Sequence, residues 1–205
     1  MVRWLEKSKQ SKIILVNNNS TFPPLLEYLE KTKHDVHNFT DNLSKWAPWS
    51  HNLFEQYPSD YFVVCDPDIL PIKECPLDLI EFCIKAFKDE RYSKYSQIGP
   101  GLEITDLPDH YAGKQEVLNW ESRFWAKPLY GNHQTADFFE APIDSMFSVF
   151  GKGGYIDTEK PGARANYPYV IRHETWYLDS DNPSEEDLWY MDRCDVNRAH
   201  WIREL

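Results

Sequence analysis

Long apolar runs are missing from this sequence. No window approaches the length of a membrane-spanning helix, and the N-terminal stretch MVRWLEKSKQSK has no apolar segment of signal-peptide length. The four cysteines show no CxxC spacing, and Cys65 and Cys83 lie in apolar segments, where free thiols behave as small hydrophobic groups. We therefore expect no membrane span, no disulfide framework and no zinc site. A reducing compartment such as the cytoplasm fits this composition.

Basic residues are also scarce, with 22 Lys and Arg against 33 Asp and Glu, for a formal net charge of −11. This balance disfavours a nucleic-acid backbone or an anionic membrane as the main partner. A site for an anionic ligand would need a local cation, either a basic side chain or a metal ion.

Internal repeats and low-complexity tracts are absent too, and 205 residues with 41% hydrophobic composition fit one domain. We predict a single domain over 1–205, with a nucleotide-sugar-binding half (1–95) and an acceptor-binding, catalytic half (96–205). The chain is also compatible with a domain of a longer multidomain protein.

Strands and helices alternate in the first half, which predicts an α/β fold with a parallel sheet covered by helices. Strands are predicted at 12–16, 36–39 and 61–65, and helices after Thr21 and over 76–89. The apolar face predicted for the second helix comprises Leu77, Ile80, Ile84 and Phe87. The less regular second half predicts strands at 96–98, 102–104, 146–150 and 169–172, and helices at 115–125 and 184–192. Residues 151–166 read as a mobile loop.

Two carboxylates, Asp66 and Asp68, end the apolar strand YFVVC in the sequence Asp-Pro-Asp. Carboxylates two residues apart across a turn can approach one hard cation such as Mg²⁺ or Mn²⁺, with ligand phosphates completing its shell. The sequence Asp-Pro-Asp is also common in turns.

Three asparagines, Asn17, Asn18 and Asn19, follow the first predicted strand. Ligands of open α/β sheets bind at such strand ends, although an Asx turn with a helix cap explains asparagines equally well.

Together, IILVNNNS, the strand that closes in DPD, and APIDSMF resemble the glycosyltransferases of the GT-A fold over residues 13–189. Within that fold the chain is similar to the glycosyltransferase-2-like enzymes, a group that includes the glycosyltransferase domain acting on chlorovirus capsid glycans. The resemblance implies a single mixed central sheet flanked by helices. It also implies transfer of a sugar from a UDP- or GDP-linked donor to a hydroxyl of a glycan or glycoprotein acceptor, with Mn²⁺ or Mg²⁺.

Site residues follow from the resemblance position by position. Asp66 and Asp68 match the DxD that holds metal and diphosphate, with Asp68 as the direct metal ligand and Asp66 nearer the ribose. His173 is the further metal ligand, against the alternative of a structural histidine. The residues predicted to lie near the nucleoside of the donor are Asn17, Asn18, Asn19 and Asn42. Arg164 and Arg172 are predicted to supply positive charge to its phosphate oxygens. The loop 151–166 either closes over the donor or is a disordered surface loop.

Asp144 resembles the carboxylate that acts as general base in inverting members, because the attacking hydroxyl must lose a proton. Glu121 is a second candidate base, although a glutamate on an amphipathic helix is usually solvated. Acceptor contacts are predicted for Asp106, Trp120 and Trp176, because aromatic faces stack on sugars, although most tryptophans of such a chain pack in the core.

Two other functions compete with the transferase. Haloacid-dehalogenase-type phosphotransferases also place DxD after a strand, but there it follows the first strand and is closely followed by threonine, and here Ile69-Leu70-Pro71 follows. A non-catalytic carbohydrate-binding module would explain the aromatic residues, but such modules are usually all-β.

Overall fold

The computed structural model describes residues 1–143, 147–157 and 160–193. Its strands are β1 (Ile14–Asn18), β2 (Asp35–Phe39), β3 (Tyr61–Cys65), β4 (Ile69–Pro71), β5 (Gln97–Gly99), β6 (Gly101–Leu102), β7 (Pro128–Leu129), β8 (Phe138–Ala141), β9 (Phe147–Gly151), β10 (Gly162–Ala165) and β11 (Val170–His173). Its α-helices are α1 (Val2–Ser8), α2 (Pro23–Lys31), α3 (Ala47–Ser50), α4 (Leu53–Gln56), α5 (Leu79–Phe87), α6 (Lys114–Glu121) and α7 (Glu185–Arg193). Single 3₁₀ turns form at Ser44–Trp46, Glu90–Tyr92, Ser122–Trp125 and Glu174–Tyr177. None of the helices formed by these residues is long and apolar enough to cross a membrane.

The chain forms two compact units, of which the first is Val2–Asp60. Here β1 and β2 pair in parallel from Ile14 opposite Asp35 onward, and α2 connects them. Proline at the first positions of α2 suits a helix start, because its missing N–H would be unpaired there in any case. Phe22 occupies the N-cap position of α2, and its side chain makes no capping hydrogen bond. The parallel strand pair predicted for the start of the chain is confirmed.

The second unit runs from Tyr61, with Met1 added, and contains a six-stranded sheet in the order β3-β9-β5-β10-β8-β7. The sheet is mixed, because β10 runs parallel to β5 and the other neighbours are antiparallel. Successive side chains of a strand point to opposite faces. On one face Phe82 of α5 stacks on Phe138, and on the other Glu121 of α6 reaches Arg164. Helices therefore cover both faces.

The α/β class and a mixed sheet flanked by helices are confirmed, but the sheet is not single. β3 belongs to the six-stranded sheet, β1 and β2 form a sheet of their own, and a third sheet has the order β4-β11-β6. The compact units divide at residue 60, whereas the sequence placed the boundary between its two halves at residue 95.

Two local predictions were wrong. The predicted loop 151–166 contains the buried strand β10, whose Gly-Ala-Arg-Ala sequence reads as irregular. Glycine is needed there because a β-carbon on Gly162 would lie 2.9 Å from the carbonyl oxygen of Gln97 on β5. The buried face of α5 also differs from the predicted one, because Leu77 lies before the helix and is exposed. The buried residues of α5 are Leu79, Ile80, Cys83 and Ala86.

Candidate functional site

The three-stranded sheet brings polar residues that are distant in the sequence to one end of its strands. β11 is antiparallel to β4 and parallel to β6, so the start of β4 lies beside the ends of β11 and β6. Asp68 directly precedes β4, His173 is the last residue of β11, and Glu103 follows β6. Two of these, Asp68 and His173, were predicted as ligands of one metal ion.

Asp68 is held by the segment that leaves β11. The N–H of Glu174 donates to the backbone carbonyl of Asp68 at 2.7 Å, and the hydroxyl of Thr175 donates to its Oδ2 at 3.0 Å. Nε2 of His173 lies 3.5 Å from the same Oδ2. The imidazole is 10% exposed and the Asp68 side chain 43% exposed, so a ligand can reach the carboxylate from solvent. Asp66, on the other side of Pro67, is half-buried.

This pair fits part of a divalent cation site. Two ligand atoms on adjacent corners of an octahedral shell lie about 3 Å apart, which the 3.5 Å between Nε2 of His173 and Oδ2 of Asp68 approaches. Within the described ranges, no group of three or more His, Cys, Asp or Glu side chains is arranged to hold a metal. One carboxylate and one imidazole leave most of an octahedral shell to water and other ligand oxygens. The residues therefore fit two positions in the shell of a divalent cation and leave the other positions open.

Arg172 and Asp106 pair with each other. The guanidinium of Arg172 donates to Oδ2 of Asp106, and the Tyr177 hydroxyl donates to its Oδ1 at 2.5 Å. Burial opposes ionisation of Asp106, but the hydrogen bonds from Tyr177 and Arg172 outweigh it and hold its pKa below the usual value. Burial, and then the bond to Asp106, raise the pKa of Tyr177. Arg172 was predicted to bind phosphate and Asp106 to contact the acceptor. In the structure these two side chains bind each other, so each covers part of the charged group that the other would offer to a ligand.

Arg164 and Glu121 form a second pair, which is buried. Nη1 of Arg164 lies 2.9 Å from Oε2 of Glu121, and their side chains are 4% and 2% exposed. Nε of Arg164 also donates to the carbonyl oxygen of Pro142 at 2.6 Å, and the guanidinium lies over the ring of Phe124. Arg164 is therefore part of the sheet and not of a mobile loop. Its burial and its pairing argue against the predicted phosphate contact, and the same pairing argues against Glu121 as a base.

The predicted nucleoside asparagines lie in the Val2–Asp60 unit, where they bond to one another and to the loops. The Asn17 side chain donates to Asn38 and accepts from the N–H of Ser20, the latter as an Asx-type turn does. Asn18 donates to Oδ1 of Asn42 at 2.9 Å, and its own Oδ1 accepts from a loop N–H. Asn19 has a left-handed backbone, with φ 62°. Loop shaping is the role that these contacts support, and nucleoside binding stays a prediction.

The two predicted acceptor tryptophans lie in different environments. Trp176 is 1% exposed and stacks on the ring of His173, with centroids 4.8 Å apart. Its burial leaves no face for a sugar, so the platform role is wrong for Trp176. Trp120 is 42% exposed, and the guanidinium of Arg123 lies 3.5 Å from its ring centroid. Sugar stacking on Trp120 stays a prediction.

Two residues at this end of the strands were missed from the sequence. The hydroxyl of Thr175 donates directly to Asp68. The one sequence feature that could have indicated this role is its position two residues after His173. Glu103 is buried and accepts from the Tyr167 hydroxyl and from the N–H and hydroxyl of Thr105. No pattern in GLEITD marks such a glutamate. The predicted base Asp144 lies outside the described residues.

Comparison with known proteins returned no match to a family model, a curated protein or a solved structure.

Proposed function

We propose that this chain is a metal-dependent glycosyltransferase of the GT-A type, which transfers a sugar from a UDP- or GDP-linked donor to a hydroxyl of a glycan or glycoprotein. The observation that carries the proposal is the 3.5 Å between Nε2 of His173 and Oδ2 of Asp68. The family resemblance assigns both residues to one cation. They are far apart in the sequence, and their closeness is what that assignment requires.

The proposed chemistry divides between two groups of residues. Asp68 and His173 would hold Mn²⁺ or Mg²⁺, with Asp66 nearer the ribose. The cation would offset the negative charge that develops on the departing diphosphate. Asp144 would accept the proton of the attacking hydroxyl, giving inversion at the anomeric carbon. Glu121 is the weaker candidate base, because its carboxylate is buried against Arg164.

Donor binding is tested by thermal denaturation with UDP or GDP, with and without Mn²⁺. A nucleotide at 100 times its Kd stabilises the folded state by about 2.7 kcal/mol, or roughly 5–10 °C for a chain of this size. We expect this rise only when Mn²⁺ or Mg²⁺ is present, and we expect Asp68→Ala to abolish it. Asp109→Ala is the matched control, because the Asp109 side chain is 99% exposed and pairs with a surface lysine. A full metal-dependent shift in Asp68→Ala would refute the assignment.

Transfer itself is tested with a panel of nucleotide sugars scored for metal-dependent donor hydrolysis. Asp144→Ala should bind nucleotide and lose turnover, and full activity in that variant would remove Asp144 as the base. No turnover with any donor would instead favour a carbohydrate-binding module.

A further inference from the structure

The segment His173–Trp176 carries one proposed metal ligand and also the contacts that orient both proposed ligands. Thr175 donates its hydroxyl to Oδ2 of Asp68 at 3.0 Å, and the indole of Trp176 stacks on the imidazole of His173. The N–H of Glu174 fixes the backbone of Asp68 at 2.7 Å. Three consecutive residues, Glu174 to Trp176, thus contact the backbone and the carboxylate of Asp68 and the imidazole of His173.

We propose that Thr175 is a positioning residue of the cation site. Its hydroxyl fixes the rotamer of Asp68 and thereby keeps Oδ2 beside Nε2 of His173, where both atoms can reach one cation. This inference rests on the proposed function only in taking Asp68 as a metal ligand.

The hydrogen-bonding capacity of the carboxylate explains why one hydroxyl has this effect. An ionised carboxylate has about four lone-pair positions on its two oxygens. Thr175 occupies one position on Oδ2, and Oδ1 has no hydrogen-bond partner among the described residues. The Asp68 side chain is 43% exposed, so solvent leaves it room to rotate, and the hydrogen bond from Thr175 opposes that rotation. The hydroxyl therefore selects one carboxylate orientation before a cation arrives.

Hydrogen-bond partners of metal ligands have measurable effects, since their loss typically weakens metal binding about 10–100-fold. Thr175→Val keeps the branched shape of the side chain and removes the donor, whereas Thr175→Ser keeps the donor. Thr105→Val is a matched control, because the Thr105 hydroxyl also donates to a carboxylate, that of Glu103, at 2.7 Å. Circular dichroism and the melting temperature establish that each variant is folded, and Thr175→Ala provides a second test where valine disturbs folding.

Mn²⁺ is titrated calorimetrically into each variant with UDP, and again with GDP, at fixed concentration, after subtraction of protein-free titrations. We expect Thr175→Val to weaken Mn²⁺ binding at least about tenfold, with Thr175→Ser and Thr105→Val within about threefold of the unmodified chain. Equal affinity in Thr175→Val and the unmodified chain would overturn the positioning role and leave the proposed function standing. Equal weakening in Thr105→Val would also overturn it, because the effect would then be general. Absence of Mn²⁺ binding in the unmodified chain with either nucleotide would overturn both proposals.

Discussion

Breaking the buried pair of Glu121 and Arg164 should be among the most destabilising single changes in this chain. Both side chains are almost fully buried, and the guanidinium also donates to the Pro142 carbonyl oxygen at 2.6 Å. Glu121→Gln keeps the shape of the side chain and removes its charge. Arg164 then stays buried and loses the negative charge of Glu121, so less of the desolvation of the guanidinium is offset.

The magnitude follows from the burial. Removing one partner of a buried ion pair costs about 3–5 kcal/mol, because the remaining charge is uncompensated. Glutamine can still accept one hydrogen bond from Arg164, so we place Glu121→Gln near about 3 kcal/mol, the lower end of that range. At roughly 2–4 °C per kcal/mol for a chain of this size, the melting temperature should fall by about 6–12 °C. Replacing both residues, as Glu121→Gln with Arg164→Met, should cost less than the sum of the two single changes.

Chemical denaturation of the four variants of this double-mutant cycle measures the coupling. Glu81→Gln is the control for the same substitution, because Glu81 pairs with Lys85 on the surface of α5 and both side chains are more than half exposed. It should change the free energy of unfolding by no more than about 0.5 kcal/mol. A loss below about 1 kcal/mol in Glu121→Gln would refute the stabilising role of this pair, since breaking a buried ion pair costs more than that.

Acid unfolding should depend on Glu140, because hydrogen bonds from Lys127, Tyr95 and a second lysine lower its pKa from 4.5 to about 2. The ionised Glu140 stabilises the fold fully above pH 4.5, and this stabilisation is lost as the pH falls toward 2. Glu140→Gln should therefore lower the free energy of unfolding by about 1–2 kcal/mol at pH 7, after allowance for solvent screening. Its free energy of unfolding should also depend less on pH between 5 and 2. An unchanged pH profile would contradict the lowered pKa. Gly99→Ala should destabilise the sheet by more than about 3 kcal/mol, because its β-carbon would lie 2.2 Å from a backbone carbonyl oxygen of β9. Gly151→Ala, where nothing lies within 4 Å, should be close to neutral, and equal thermal stability of the two variants would contradict this packing.

Local patterning predicted several elements well. The strand Tyr61–Cys65 has the bounds that its apolar run indicated, and the parallel pairing of β1 with β2 follows from a strand-helix-strand pattern. Long-range pairing could not be predicted in the same way. The run YFVVC reads the same whether its neighbour is β2 or β9, because period and hydrophobicity specify a strand but not its partner.

The candidate site was likewise predicted only in part from the sequence. Residue types and the family resemblance selected Asp68 and His173, which do lie together. The same reasoning treated Arg172 and Asp106 as separate ligand contacts, although they neutralise each other in the fold. Whether a charged group faces a ligand or another side chain depends on contacts between distant segments, and no local pattern in the sequence encodes them.

Charge pairing also bears on how this acidic chain would hold a diphosphate. Arg164 is neutralised by Glu121 in the interior, and Arg172 is neutralised by Asp106. Both arginines that the resemblance assigned to the phosphates therefore bring a carboxylate with them, and a diphosphate beside either pair would meet little net positive charge. In the proposed function the cation at Asp68 and His173 must then supply most of the attraction. Affinity for nucleotide should accordingly depend steeply on the divalent metal and weakly on either arginine.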